Sequence, residues 1–296
     1  MLKSLYSGVS GMKGFQTKMD VISDNIANVN TMGFKSSRVI FEDLMSQNMS
    51  TASSASNNLG GTNAKQIGLG VQAGSIDKDT STGSPQSTGR TLDFYINGGG
   101  YFIAQNEKGE NLYTRDGAFS RDNQGNLTTS DGFKVMGRAA TTPLTEYTDG
   151  TNTDNALAAS GSLSALTIPS TITVNGQTLN YDSVSVDQSG LVIGKYGSQN
   201  FVLGKVSLAT FNNAAGLENV GGNNFAVSSN SGAAIISNPG DTGTGTLVSG
   251  ELEMSNVDLS SEFTEMIVAN RAYQANAKTI TTSDEMLQTL INLKQS

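Results

Sequence analysis

The 296-residue chain contains no histidine, no cysteine and no tryptophan. Without histidine there is no Ser-His-Asp triad, no Cys-His pair and no imidazole base. Without histidine and cysteine together, ordinary zinc sites, iron–sulfur clusters and the common haem ligations are excluded. Carboxylate, lysine or tyrosine chemistry, oxygen-ligated Ca2+ or Mg2+, and non-enzymatic roles survive. The missing cysteines exclude disulfides and are silent on compartment. Proline numbers only 4, and charged residues are 15% of the chain, a charge density too low for a disordered polyelectrolyte.

Basic residues are also few, 18 Lys and Arg against 26 Asp and Glu. No stretch concentrates the cations on one face, so no nucleic-acid partner is expected. Unbroken apolar runs reach only four residues, as at Tyr101–Ala104 and Met266–Ala269, which excludes a helical membrane span. Lys3 stands near the start, but no apolar run of about 7–15 residues follows, so no Sec signal peptide is read. What is abundant is glycine, at 34, with Ser, Thr and Asn, a mix suited to short strands, turns and solvated surfaces.

The two ends carry helical patterns. Leu2, Leu5, Val9, Met12, Phe15, Met19, Ile22, Ile26 and Val29 recur at steps of three and four, a heptad seam with one stammer at Met12–Phe15. This predicts a helix of about 28 residues, roughly 42 Å long. Gly8, Gly11 and Gly14 interrupt it, each at a cost of about 1 kcal/mol relative to Ala. They also leave a bare surface that another backbone can approach. At the other end Leu259, Phe263, Met266, Asn270, Tyr273, Ala277, Ile280, Asp284, Leu287, Ile291 and Lys294 follow strict four–three spacing. Asp258 or Ser260 is the expected N-cap of this second helix, about 36 residues long. Acidic residues near its start and Lys294 near its end suit the helix dipole.

The region between reads as β. Leu92, Phe94 and Ile96 alternate, Asn97–Gly100 reads as a turn, and Tyr101–Ile103 as the returning strand. Ile172 and Val174, Asn175-Gly176, then Leu179 and Tyr181 predict a type I′ hairpin. Ser46–Gln66 is rich in Ser, Asn, Thr and Gly and reads as a linker or long loop. The composition shifts again over Thr141–Ser164.

Isolated motifs with a chemical flavour have plainer readings. Asp241-Thr242-Gly243 matches the triplet of aspartic proteases, but the second Asp-Thr/Ser-Gly such enzymes need appears nowhere, and the surroundings are turn-rich. Asp122-Asn123-Gln124-Gly125-Asn126 resembles a calcium loop, yet position twelve is Phe133 where glutamate is required, so a hairpin turn is expected. No phosphate-binding loop occurs. Neither catalytic, cofactor-binding nor metal-binding residues are assigned. The end helices admit two readings, an intramolecular hairpin closing a globular domain or an assembly interface. One apolar seam does not offset the ordering entropy of so long a helix, so burial on several sides is needed.

Several segments together resemble the bacterial flagellar rod and hook family. Ser23-Asp24-Asn25-Ile26-Ala27-Asn28-Val29-Asn30-Thr31-Met32-Gly33-Phe34-Lys35 is similar to its N-terminal signature. Leu252–Leu259, Met266–Lys278 and Asp284–Leu290 are similar to its C-terminal region. Thr88–Asp93 and Tyr113-Thr114-Arg115-Asp116-Gly117-Ala118-Phe119 add interior matches. Thr88–Asp93, Ser255–Leu259 and the β-rich stretch from about Thr141 to Asn200 look more like the hook members than the distal rod members. Distal rods, however, also carry extra residues where Ser46–Gln66 stands.

The resemblance implies an α+β fold: long N- and C-terminal helices forming a coiled-coil terminal domain, with nested β-rich middle and outer domains. The implied boundaries are 1–35 and 251–296 for the terminal domain, 36–70 for a linker, 71–140 and 201–250 for the middle domain, and 141–200 for the inserted outer domain. The implied function is that of a structural subunit polymerising into the flexible hook, without cofactor or catalysis. The implied partners are further copies of the chain, the flagellar rod, the hook cap and hook–filament junction proteins, and the type III export apparatus, which members traverse unfolded without a cleaved leader. The location implied is the basal body and hook of the bacterial flagellum, extracellular. Self-assembly is then expected through Leu2, Leu5, Val9, Met12, Phe15, Met19, Ile22, Asn25, Ile26, Asn28, Val29, Gly33 and Phe34 from the first end. From the second it is expected through Leu259, Phe263, Met266, Asn270, Tyr273, Ala277, Ile280, Leu287 and Ile291.

Overall fold

The computed structural model describes residues 2–54, 60–140, 163–174 and 176–295. The fold is α+β, with a helix at each end and a β-rich middle, and it divides into two compact units.

Unit 1 comprises Met1–Asn28, Ser36–Asp79 and Val257–Ser296. Its helices are α1 (Leu2–Ala27) and α2 (Leu259–Gln295). Asp258 is the cap of α2: its Oδ1 accepts the Ser260 N–H at 2.9 Å, and its carbonyl takes the Glu262 N–H at 3.0 Å. The strands are β1 (Ser37–Asp43), β2 (Gln47–Ser50), β3 (Lys65–Ile67) and β4 (Val71–Lys78). β1 pairs antiparallel with β4, with a bulge between Ile40 and Phe41, and β2 pairs with β3. The segment 36–70, expected as a linker, thus carries three strands, and β1 and β4 lie with the terminal helices. The reason is that ladder formation depends on backbone groups, which a polar Ser/Asn-rich segment possesses like any other. Ser53 and Thr62 exchange backbone hydrogen bonds at 2.9 and 3.1 Å even in this low-complexity stretch.

Unit 2 comprises Val29–Lys35 and Thr80–Asn256. Its strands are β5 (Pro85–Ser87), β6 (Phe94–Asn97), β7 (Tyr101–Gln105), β8 (Asn111–Thr114), β9 (Ser120–Arg121), β10 (Leu127–Thr128), β11 (Lys134–Ala139), β12 (Ser164–Ala165) and β13 (Thr171–Val174). They continue with β14 (Gln177–Val186), β15 (Leu191–Tyr196), β16 (Gln199–Val206), β17 (Leu208–Thr210), β18 (Glu218–Gly221), β19 (Asn224–Ala226), β20 (Ile235–Ser237), β21 (Thr246–Ser249) and β22 (Glu251–Glu253). The main sheet runs β13-β14-β15-β16-β11-β7-β8-β19-β18, with β9, β10, β12, β17 and β20 attached to it. β7 is buried on both faces. Phe102 joins a core with Phe94, Phe119, Leu127, Val206 and Leu208, while Tyr101 and Ile103 join Tyr113, Met136 and Phe225 on the other side.

Two expectations change here. β6 and β7 do not form a hairpin: β6 pairs with β21 and β7 with β8, β11 and β17. Phe94, Tyr95 and Ile96 are all buried, so the glycine-rich Asn97–Gly100 carries the chain between two sheets. The expected boundary near residue 200 is no break either. β16 pairs with β11, and Ile172, Val184 and Tyr196 share the core of Phe94 and Phe102. Residues 141–162 of the expected outer domain lie outside the described residues. The β13–β14 hairpin occurs at its expected position, with Val174 opposite Gln177 and Ile172 opposite Leu179; Asn175 lies outside the described residues.

Candidate functional site

The helical pair of unit 1 is positioned by small residues. A Cβ on Gly8 would stand 3.2 Å from Ile280 Cγ1, and one on Gly11 would stand 2.7 Å from Asn276 Nδ2. Gly14 meets the Phe41 ring of β1 in the same way, at 3.0 Å, and Phe15 packs on that ring with centroids 5.5 Å apart. Where the chain leaves α1, the buried Asn25 ties three elements: its Nδ2 donates to the Ser37 carbonyl at 2.8 Å and to Glu262 Oε1 at 3.0 Å, and its Oδ1 accepts the Ser37 N–H at 3.0 Å. Lys18 pairs with Glu265 at 3.0 Å beside it. Partial burial, reinforced by Glu265 and opposed by the Asn25 hydrogen bond, pushes the Glu262 carboxyl above the usual glutamate range.

Within unit 1 the expected seam residues divide. Ile22 and Asn25 are buried, and Leu5, Val9, Met12, Phe15, Met19, Ile26 and Asn28 are half-buried. Leu2 opens α1, but its side chain lies outside the described residues. On α2, Met266, Tyr273, Ala277, Ile280 and Leu287 are half-buried, and the stripe is completed by the buried Ala269 and Ser283 and by Asn276. Leu259, Phe263, Asn270 and Ile291 are exposed, together with Ile267, Val268, Met286, Leu290 and Leu293. The seam positions therefore divide between residues turned toward α1 and residues left exposed.

The remaining expected residues, Val29, Gly33 and Phe34, belong to unit 2, where they lead into a buried ionic cluster that periodicity does not show. Glu253 at the end of β22 accepts Lys35 Nζ at 2.6 Å and the Gly83 N–H at 2.9 Å on Oε1, and Arg115 Nη1 at 3.1 Å on Oε2. All three charged side chains are almost wholly buried, at 2%, 1% and 3% exposure for Lys35, Glu253 and Arg115. Lys35 also donates to the Ser81 carbonyl at 2.7 Å, and Arg115 Nη2 to the Gly98 carbonyl at 2.8 Å. The Arg115 guanidinium lies over the Tyr101 ring, 5.3 Å from its centroid. Gly33 donates its N–H to the Glu253 carbonyl at 2.9 Å, and Asn223 Nδ2 donates to the Met32 carbonyl at 2.8 Å. Each charged residue sits in a segment that carried the family resemblance, but they are separated by 80 and 138 positions. Lone charges in strand-like sequence give no spacing signal, so this convergence is a tertiary fact.

The motifs with a chemical flavour are turns. Asp241 receives Thr244 N–H at its carbonyl and Asn238 N–H at Oδ2, both at 3.0 Å. Asp122 Oδ1 caps the N–H groups of Gln124 and Asn126 at 2.8 and 2.7 Å, joining β9 to β10.

Three family models match the chain. Residues 5–35 match the one described as flagella basal body rod protein, residues 95–194 the flagellar hook protein FlgE/F/G D1 domain, and residues 248–293 the flagellar basal body rod FlgEFG protein C-terminal. The flagellar basal-body rod protein FlgG of Bacillus subtilis (strain 168) is 49% identical over 304 residues, covering 100% of both chains. FlgG of Caulobacter vibrioides is 37% identical over 297 residues, covering 99% of this chain and 100% of that protein. The flagellar hook protein FlgE of Borreliella burgdorferi is 32% identical, but over 443 aligned residues, covering 99% of this chain and 100% of that protein.

Proposed function

The chain belongs to the flagellar rod and hook family of structural proteins, which are not enzymes, and from that premise we propose that it is a self-assembling subunit of the distal rod. The observation that carries self-assembly is the distribution of exposed apolar surface. Among the described residues, only Ile22 and Ala269 are fully buried hydrophobics in unit 1. All the exposed large hydrophobics except Val220, Val227 and Ile235 lie there too. A unit so poorly buried gains most from covering by neighbours. Repeated head-to-tail contacts that do not close into a ring generate a helical filament.

The finer assignment moves from the hook reading of the sequence toward the rod. Support comes from the 49% identity to a rod protein aligned end to end over 304 residues, whereas the hook relative needs 443 aligned positions to span this chain. The hook stays the second reading, favoured by the resemblance over Thr88–Asp93 and Ser255–Leu259. The proposal includes a coaxial coiled pair of terminal helices lining the inner tube, contact with neighbouring axial proteins, unfolded passage through the type III apparatus and assembly outside the cytoplasm. Electron microscopy of basal bodies from cells lacking this protein tests it. Truncated rods without hooks are expected. Complete rods lacking only the hook would overturn the rod assignment in favour of the hook. Subunits carrying Phe263→Ser, Ile267→Ser and Leu290→Ser should remain folded and fail to assemble; normal assembly would refute the role of the exposed apolar residues of α2.

A further inference from the structure

We propose that the Lys35–Glu253–Arg115 cluster is a completion lock, in which residues 29–35 dock stably into unit 2 only once the strand bearing Glu253 has arrived. The stoichiometry is the first argument. Two cations converge on one carboxylate in a nearly solvent-free site. Removing that carboxylate leaves like charges buried together, whereas removing either cation leaves a neutral pair.

The backbone is the second argument. The same residue, through its carbonyl, accepts the Gly33 N–H at 2.9 Å, and its neighbour Met254 donates its N–H to the Ser84 carbonyl at 3.0 Å. β22 pairs with β5, Leu252 opposite Gln86. A Cβ on Gly83 would lie 1.9 Å from the Met254 carbonyl oxygen, so the two segments close with no spare room. Arrival of residues 251–254 therefore supplies the counter-charge, the acceptor for Gly33 and the covering strand in one event.

Chain order is the third argument. Lys35 and Arg115 precede Glu253 by 218 and 138 positions, so a chain that emerges with its N-terminal side first presents both cations before the carboxylate. Until residue 253 is present, docking of 29–35 brings Lys35 toward Arg115 without an anion between them. The folded base of unit 2 thus registers that nearly the whole chain exists. This rests on unit 2 alone and holds for a rod or a hook subunit alike.

The test is hydrogen exchange on the full-length chain carrying E253M, K35M, R115M or K35M together with E253M. E253M should accelerate amide exchange across residues 29–35 and at Gly83 by about a hundredfold or more, the loss typical of a broken buried ion pair. K35M and R115M should each do less, and the double variant should fall short of the sum of its singles. Amides of β7 and β8 should accelerate less than those of residues 29–35. In pulse-labelled refolding of the unmodified chain, residues 29–35 should gain protection together with 251–254. Equal effects of E253M and K35M, additivity in the double variant, or protection of 29–35 ahead of 251–254 would each overturn the lock. If E253M does not fold, E253Q replaces it and the same ordering is required.

Discussion

Gly33→Ala isolates the docking of the N-terminal signature by geometry. Gly33 has φ +69°, where an L-residue with a Cβ is disfavoured by about 1–2 kcal/mol. Its added methyl would also stand 2.6 Å from Asp116 N and 2.8 Å from Arg115 C, backbone atoms that cannot rotate away. Overpacking of this kind costs about 1–3 kcal/mol. Displacement would further stretch the Gly33 N–H bond to the Glu253 carbonyl, at 2.9 Å, worth about 1 kcal/mol. The expected loss is about 3–6 kcal/mol in unit 2, combining these ranges. Gly89 is the control: its φ is +70°, and no atom lies within 4 Å of the added Cβ, so Gly89→Ala should show the conformational part alone. Urea unfolding, followed through the near-ultraviolet signal of buried Tyr95, Tyr101 and Tyr113, measures both variants. A Gly33→Ala loss no larger than that of Gly89→Ala would refute the close approach.

Gly8→Leu should force α1 from Ile280 and reduce helical circular dichroism, whereas Gly60→Leu, with no neighbour within 4 Å, should not. Glu262 has a raised carboxyl pKa, so its contribution favours the folded state at acid pH and is lost as pH rises through that value. Glu262→Gln should therefore flatten the acid-to-neutral stability profile of the helical unit, and carboxyl NMR titration of the unmodified chain should place Glu262 above ordinary glutamates. Phe102→Ala, at a fully buried position, should cost about 3–5 kcal/mol in denaturant unfolding.

Much of the architecture was legible because it is local. Apolar residues at three–four spacing announce a helix before any partner is known, and Asp258 announces its start by the chemistry of its own side chain. Asn175-Gly176 between alternating apolar residues likewise marks a hairpin. The Ser46–Gln66 segment reads as a linker or long loop because its polar side chains conceal a backbone that still pairs, through β2 and β3. The single seam read along α2 is incomplete because three–four spacing, which also admits Asn270, Asp284 and Lys294, does not tell which of its apolar residues meet α1. Only Asn276 and Ile280 against Gly11 and Gly8 decide which side turns inward.

The sequence by itself determined the two end helices, the β-rich middle, the exclusion of histidine and cysteine chemistry, and the family resemblance, all properties of neighbouring residues or short motifs. The tertiary structure decided which strands pair, why Phe94–Ile96 and Tyr101–Ile103 part company, and that Lys35, Arg115 and Glu253 meet. The charged trio alone joins residues 80 to 218 positions apart. A buried charge is tolerated only where folding delivers its partner, and no local pattern encodes that delivery.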